Sequence, residues 1–256
     1  MRKKLGQHFL HNKAALQKIV DALSLHSGEI VIEVGPGHGE LTEFLLRSDG
    51  IRVIGIEKDP ALISTLREKF KDTKSFESYE GDVRTDLLSI IARFDSYKLV
   101  GNIPYYLTGF LFRIISELPK KPDLIVLTIQ KEVAERVCAE PPEMNLLAAS
   151  IQVWAEPKIL GVLERSDFSP PPEVDSAILE LAPRKREEGF DDVRYFRFIK
   201  ALFKQPRKMI LNNLRDGFTL SKEDIEEKLK KFSLSSSLRP QDLSIEELVE
   251  LSTVFS

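Results

Sequence analysis

The sequence predicts an α/β fold: a mostly parallel sheet with helices on both faces and an antiparallel edge strand, followed by a small all-α domain. Three observations carry this. Short β-branched runs at residues 30–34, 51–56, 99–100 and 124–129 alternate with stretches long enough for helices, such as 40–47 and 60–70. Such alternation is the pattern of parallel strands joined by crossover helices. After Trp154 the alternation stops, and residues 158–163 and 174–181 read as two successive strands with no helix between them, which closes a parallel sheet with an antiparallel edge. From Val193 to the end only helical periodicity remains.

Each element has a local reason. Asn12 precedes a helix whose Leu16, Ile19, Val20 and Leu23 share one face, and an asparagine there accepts bonds from the free N–H groups of the first turn. Residues 30–40, Ile-Val-Ile-Glu-Val-Gly-Pro-Gly-His-Gly-Glu, read as a buried strand, a tight glycine turn and a helix start. Asp59-Pro60 is a helix cap followed by proline at the first helical position. Gly81-Asp82 ends a third strand, and Val100-Gly101-Asn102-Ile103-Pro104-Tyr105 follows the fourth. The stiff loop Ser169-Pro170-Pro171-Pro172 joins the last two strands. The charged segment 183–192 reads as a hinge and divides the chain into domains at 1–183 and 184–256. In the second domain helices are expected at 193–216, broken at Pro206, then at 222–231 and 243–251.

Of the 256 residues 42% are apolar and 30% charged, 37 basic against 40 acidic, a balance that argues against wholesale disorder. The net charge of −3 is unevenly spread. Residues 1–20 carry Arg2, Lys3, Lys4, Lys13 and Lys18, and residues 194–215 carry Arg194, Arg197, Lys200, Lys204, Arg207, Lys208 and Arg215, with no acid in either stretch. Two basic zones inside an acidic total form an electrostatic footprint for a polyanion. On a helix Arg194, Arg197, Lys200 and Lys204 fall within an arc of about 120°, opposite Tyr195, Phe198, Ile199, Leu202 and Phe203. A solvated amphipathic face would give a similar pattern, although such faces normally mix signs.

The lone Cys138 cannot form an intrachain disulfide, and His8, His11, His26 and His38 lack zinc-ligand spacing, so a cytoplasmic, metal-free protein is expected. No apolar stretch of signal-peptide length follows Arg2-Lys3-Lys4, and the longest buried-looking run, 124–129, is too short to cross a membrane. A monomer is the expectation.

The glycine spacing, G-x-G-x-G at Gly35, Gly37 and Gly39, differs from the G-x-G-x-x-G of dinucleotide folds, and no G-x-x-x-x-G-K-[ST] phosphate loop exists. Taken alone the turn fits any α/β protein. Glu57 ends the second strand, where an acid accepts bonds from ribose hydroxyls, and Asp82 ends the third, where it could accept one from an adenine amino group. Individually each is an ordinary strand-end acid. Together they point to a nucleoside cofactor.

At Asn102-Ile103-Pro104-Tyr105 the chain resembles the amino-methyltransferases that use S-adenosylmethionine, and more narrowly the ribosomal RNA adenine dimethyltransferases. The resemblance extends through Leu5-Gly6-Gln7-His8-Phe9-Leu10, the glycine loop, Gln130-Lys131-Glu132-Val133-Ala134, residues 168–176, Arg207-Lys208, Arg239-Pro240 and Leu243-Ser244. It implies a Rossmann-like methyltransferase fold, S-adenosylmethionine as cofactor, and cofactor contacts at His8, Leu10, Gly35, Gly37, Glu57, Asp82 and Asn102. It implies that the Asn102 side-chain oxygen and the Ile103 carbonyl accept bonds from the target amine, that Pro104 keeps the turn rigid, and that Tyr105 and Phe168 hold the target base. RNA contacts are expected at Arg2, Lys3, Lys4, Arg194, Arg197, Lys200, Lys204, Arg207 and Lys208. The activity implied is N6 dimethylation of adenosines, two adjacent ones near the 3′ end of small-subunit rRNA, during subunit assembly. The rivals are a large-subunit rRNA adenine methyltransferase of the macrolide-resistance type, a non-catalytic assembly or transcription factor with the same fold, a DNA adenine methyltransferase and, last, a nicotinamide dehydrogenase. Two departures stand out: Gln205-Pro206 interrupts a run that is basic in relatives, and Tyr106 replaces their usual asparagine.

Overall fold

The structure, a computed structural model, describes residues 8–185 and 189–255. The chain divides into two compact units, residues 1–134 with 157–183, and residues 135–156 with 184–256.

In chain order the elements are β1 (Phe9–Leu10), α1 (Lys13–Ala22), β2 (Ile30–Val34), α2 (Glu40–Leu45), β3 (Arg52–Glu57), α3 (Pro60–Lys69), β4 (Phe76–Glu80), α4 (Val83–Ile91), β5 (Lys98–Asn102), a 3-10 turn at Tyr105–Leu107, α5 (Thr108–Glu117), β6 (Ile125–Gln130), α6 (Lys131–Val137), α7 (Leu146–Gln152), β7 (Ala155–Leu163), β8 (Phe168–Ser169), β9 (Ser176–Pro183), α8 (Asp192–Leu202), α9 (Ile210–Phe218), α10 (Lys222–Lys230) and α11 (Ile245–Ser252). The main sheet runs β4-β3-β2-β5-β6-β9-β7. Its first five strands are parallel, and β9 runs antiparallel to β6. The fold is Rossmann-like.

The central strand β2 is buried on both faces, including Val31, Ile32 and Val34, which is why its sequence is nearly continuously apolar rather than alternating. Asn12 caps α1 by accepting from the Ala14 and Ala15 nitrogens at 2.9 and 3.1 Å. Leu16, Ile19, Val20 and Leu23 face a core shared with Val31, Val53 and Val126. Asp59 caps α3 through the Ala61 nitrogen at 2.9 Å. From β2 the chain builds outward to β3 and β4, then returns to lay β5 and β6 on the other side. The carboxyl ends of β2 and β5 therefore flank a switch point, the crevice where open α/β sheets bind ligands.

Two features depart from the sequence reading. Within the loop after β7, Phe168–Ser169 forms β8, which among the described residues pairs with β1 alone: Phe9 lies opposite Ser169, and Leu10 opposite Phe168. The segment 135–156, placed by the sequence boundary with the first domain, groups with the second unit. The cause is long-range bonding with no local trace: Tyr195 donates its hydroxyl to the Ala149 carbonyl at 3.0 Å, and the backbone pairs Met144 N with Gln241 O at 3.1 Å and Arg184 N with Trp154 O at 2.8 Å.

In the second unit Tyr195, Phe198, Ile199 and Leu202 of α8 are fully buried. The helical interruption is wider than Pro206 alone, since α8 ends at Leu202 and α9 starts at Ile210. Buried Asn213 holds that turn, accepting from the Gln205 nitrogen at 3.2 Å and donating to its carbonyl at 3.0 Å. Among the described residues no helix is long and apolar enough to cross a membrane.

Candidate active site

At the carboxyl ends of the parallel strands lies a pocket whose lining includes His8, Phe9, Gly35, Gly37, Glu57, Asp82, Asn102, Tyr105 and Phe168. Its floor is the glycine turn after β2. Gly35 has φ +66°, and a Cβ built on it meets no protein atom within 4 Å, so the only thing a side chain there would fill is the pocket itself. Gly37, φ +62°, is pressed by the Phe9 ring, which a Cβ would meet at 2.8 Å. Both positions need a residue that enters the left-handed region without cost.

Glu57, at the end of β3, is 4% exposed. One carboxylate oxygen accepts from the Lys58 and Asp59 nitrogens at 2.8 and 2.9 Å, the other from the Gly37 nitrogen at 3.2 Å. It thus ties β3 to the glycine turn and keeps an acceptor site on the second oxygen, since a carboxylate oxygen takes two donors. Asp82 is bound by Lys58 Nζ at 2.9 Å and by Arg84 Nε and Nη2 at 3.0 and 2.5 Å. The Arg84 guanidinium and the Lys58 ammonium hold its carboxyl well below the usual carboxylate range, against its partial desolvation.

Beneath the turn, Glu33 of β2 is 1% exposed and accepts from the Thr42 hydroxyl at 2.6 Å. Burial pushes its carboxyl up to about 8, more than the Thr42 bond lowers it. Glu33 therefore keeps its proton at neutral pH.

The opposite wall is the corner 102–105. Ile103 donates its nitrogen to the Thr128 carbonyl of β6 at 3.1 Å, which anchors the turn to the sheet. Asn102 donates Nδ2 to the His8 carbonyl at 2.7 Å. That bond uses one of the two N–H donors of the amide, and its oxygen is left as an acceptor. His8 also bonds the Pro170 carbonyl through Nδ1 at 2.8 Å, and its ring lies 5.9 Å from that of Tyr105. The Tyr105 hydroxyl meets Ser176 Oγ at 2.9 Å, and partial burial raises its pKa from the ordinary value, which keeps the phenol neutral. Phe168 is 3% exposed and closes the site from β8.

A family model described as Ribosomal RNA adenine dimethylase matches residues 1–255. The chain belongs to the ribosomal RNA adenine dimethylase family. A relative from Dehalococcoides mccartyi, Ribosomal RNA small subunit methyltransferase A, is 38% identical over 100% of this chain and 88% of its own. One of the same name from Fusobacterium nucleatum is 35% identical over 99% and 97%. Among solved structures, a dimethyladenosine transferase from Plasmodium falciparum superposes with a TM-score of 0.79 at 26% identity, covering 95% of this chain and 96% of that one. The 23S rRNA methyltransferase ErmE superposes at 0.76 over 96% of this chain and 99% of that one, with 24% identity, a likeness of fold.

Like its family, this chain is an rRNA adenine methyltransferase. The geometry brings together most of the residues expected at its site. Leu10 is the exception: its side chain is buried in the core with Leu16 and Phe168, because successive residues of a strand point to opposite sides, and it is Phe9 that faces the pocket. The sequence reading missed Phe9, the Lys58 and Arg84 partners of Asp82, buried Glu33, and Ser176. Only the alternation of β1 could have signalled one of them. Tyr106 is 62% exposed at the pocket rim. Of the basic residues, Arg2, Lys3 and Lys4 lie outside the described residues. Arg197, Lys200, Lys204, Arg207 and Lys208 are exposed. Arg194 departs from the expected face, for it is half-buried and donates Nη2 to the Thr253 carbonyl. Among the described residues no cluster of His, Cys, Asp and Glu could hold a metal ion.

Proposed function

We propose that this chain transfers methyl groups from S-adenosylmethionine to N6 of two adjacent adenosines near the 3′ end of small-subunit rRNA, dimethylating each, as a cytoplasmic monomer during subunit assembly. The observation that carries the reading is the Asn102 amide, which lines the pocket and is held there by the bond from Nδ2 to the His8 carbonyl. The names borne by the relatives support the small subunit as target.

The pocket fits the cofactor. The Glu57 carboxylate would accept from its ribose hydroxyls, Asp82 from its adenine amino group, and the bare Gly35 and Gly37 backbone would let it lie close to the sheet. When bound, it supplies an electrophilic methyl group on a sulfonium. The chain supplies the rest. An adenine amino nitrogen is a weak nucleophile because its lone pair is delocalised into the ring. As it attacks it becomes tetrahedral and positive, so the Asn102 oxygen and the Ile103 carbonyl, accepting from its N–H groups, stabilise the transition state more than the ground state. Tyr105 stacks on the flipped base, worth about 1–3 kcal/mol, and Phe168 backs the site. The methylated nitrogen loses its proton to water, so no strong base is needed. The second transfer proceeds with one N–H fewer, on whichever acceptor still faces a hydrogen.

Arg197, Lys200, Lys204, Arg207 and Lys208 contact phosphates, with Arg2, Lys3 and Lys4 from the chain start, which makes RNA binding salt-dependent. The test is methyl transfer to isolated small and large subunits, with modified adenosines mapped. Label confined to adenosines of the small subunit is expected. Label on the large subunit alone would establish the macrolide-resistance reading, and failure to bind S-adenosylmethionine the non-catalytic one.

A further inference from the structure

Ser176 has no role in the reaction as described so far. It is fully buried, opens β9 opposite Gln130 of β6, and places Oγ 2.9 Å from the Tyr105 hydroxyl. Its position is set by the sheet. Tyr105 sits instead in a single 3-10 turn and is half-buried, so packing alone leaves more than one staggered direction open to its side chain unless something anchors its far end. The His8 ring approaches one side of it at 5.9 Å with 30° between the planes, and His8 is itself tied to the Pro170 carbonyl.

We propose that Ser176 is a positioning residue: its hydroxyl anchors the far end of the Tyr105 side chain and so fixes where the ring axis points, while the His8 ring beside it limits the turn of the plane, placing the ring for the incoming adenine. The proposal rests on the reading of Tyr105 as the base-stacking residue. Stacking depends on where a ring lies and how it is turned, and here Ser176 holds the end of the ring axis while His8 flanks one side of the ring. A serine serving only to fill space would not need its oxygen.

The test is a double-mutant cycle of Ser176→Ala, Tyr105→Phe and the pair, reading kcat and KM for RNA alongside S-adenosylmethionine affinity by calorimetry. Each single change removes one partner of the bond and keeps the Tyr105 ring or its phenyl equivalent. Each is expected to lower kcat/KM for RNA about threefold to tenfold, the worth of one neutral hydrogen bond. The double variant should be no worse than the poorer single one, and cofactor affinity should be unchanged throughout. Additive losses, or a Ser176→Ala variant that loses cofactor affinity in step with activity, would overturn the assignment. If Ser176→Ala fails to fold, Tyr105→Phe alone decides, since wild-type kcat/KM there leaves the bond without a role. A wild-type protein that methylates no adenosine brings down the functional reading and this proposal with it. Wild-type activity with additive singles brings down Ser176 alone.

Discussion

Replacing Asn102 by alanine separates chemistry from binding. The side chain donates Nδ2 to the His8 carbonyl at 2.7 Å and lines the pocket, where its oxygen is the acceptor proposed for the target amine. Loss of the His8 bond costs about 0.5–1.5 kcal/mol of stability, small beside the roughly 5–15 kcal/mol of a typical domain, so the variant folds. Loss of an acceptor aimed at developing charge costs about 2.7–4 kcal/mol of barrier, or roughly 100-fold to 1,000-fold in kcat. RNA affinity, carried by phosphate binding elsewhere, should stay near wild type. Asn102→Asp provides the control. It keeps an acceptor but sets an oxygen against the His8 carbonyl, so it should fall between the two. The assay is single-turnover transfer of a labelled methyl group at saturating RNA, with RNA affinity from filter binding. A kcat for Asn102→Ala within about threefold of wild type would refute the role given to the amide oxygen.

Glu57→Ala removes the acceptor proposed for the ribose and the tie to the Gly37, Lys58 and Asp59 nitrogens; calorimetry should show S-adenosylmethionine affinity falling at least about tenfold. Glu33 makes stability depend on pH. Its carboxyl, raised to about 8 from 4.5 by burial, keeps a proton that the unfolded chain releases, so stability falls as pH rises across that interval and levels off above it. Thermal midpoints of Glu33→Gln should lose that part of the slope, and an identical pH profile in both proteins would contradict it. Charge reversal at Arg197 and Lys200 should weaken RNA binding and shallow its log–log salt slope by about one for each phosphate no longer neutralised. Unaltered binding would return that face to ordinary solvation.

Local patterning made the first unit's architecture readable. The strand 30–34, the caps at Asn12 and Asp59 and the glycine turn are each specified within a few residues, and they recur in the structure at those places. What stayed hidden depends on partners distant in sequence. Nothing near His8 announces that its carbonyl will hold Asn102 or that its ring will bond Pro170. Helical geometry put Arg194 on the basic face, but the Thr253 carbonyl captures its guanidinium. The segment 135–156 reads as a continuation of the first domain until Tyr195 and Gln241 are seen to claim it. Glu33 reads as an ordinary strand residue, and only the packing above and below β2 reveals a carboxyl almost wholly buried.

The two-residue pairing of β1 with β8 joins segments far apart in the chain, Phe9 to Ser169 and Leu10 to Phe168. A growing polypeptide that has reached only β6 already contains the glycine turn, Glu57, Asp82 and the 102–105 corner. It has no Phe168 to fasten Phe9 and Leu10, and no Pro170 carbonyl for His8. During translation, methyl-donor affinity should therefore switch on late, once that second half of the clasp has cleared the exit tunnel.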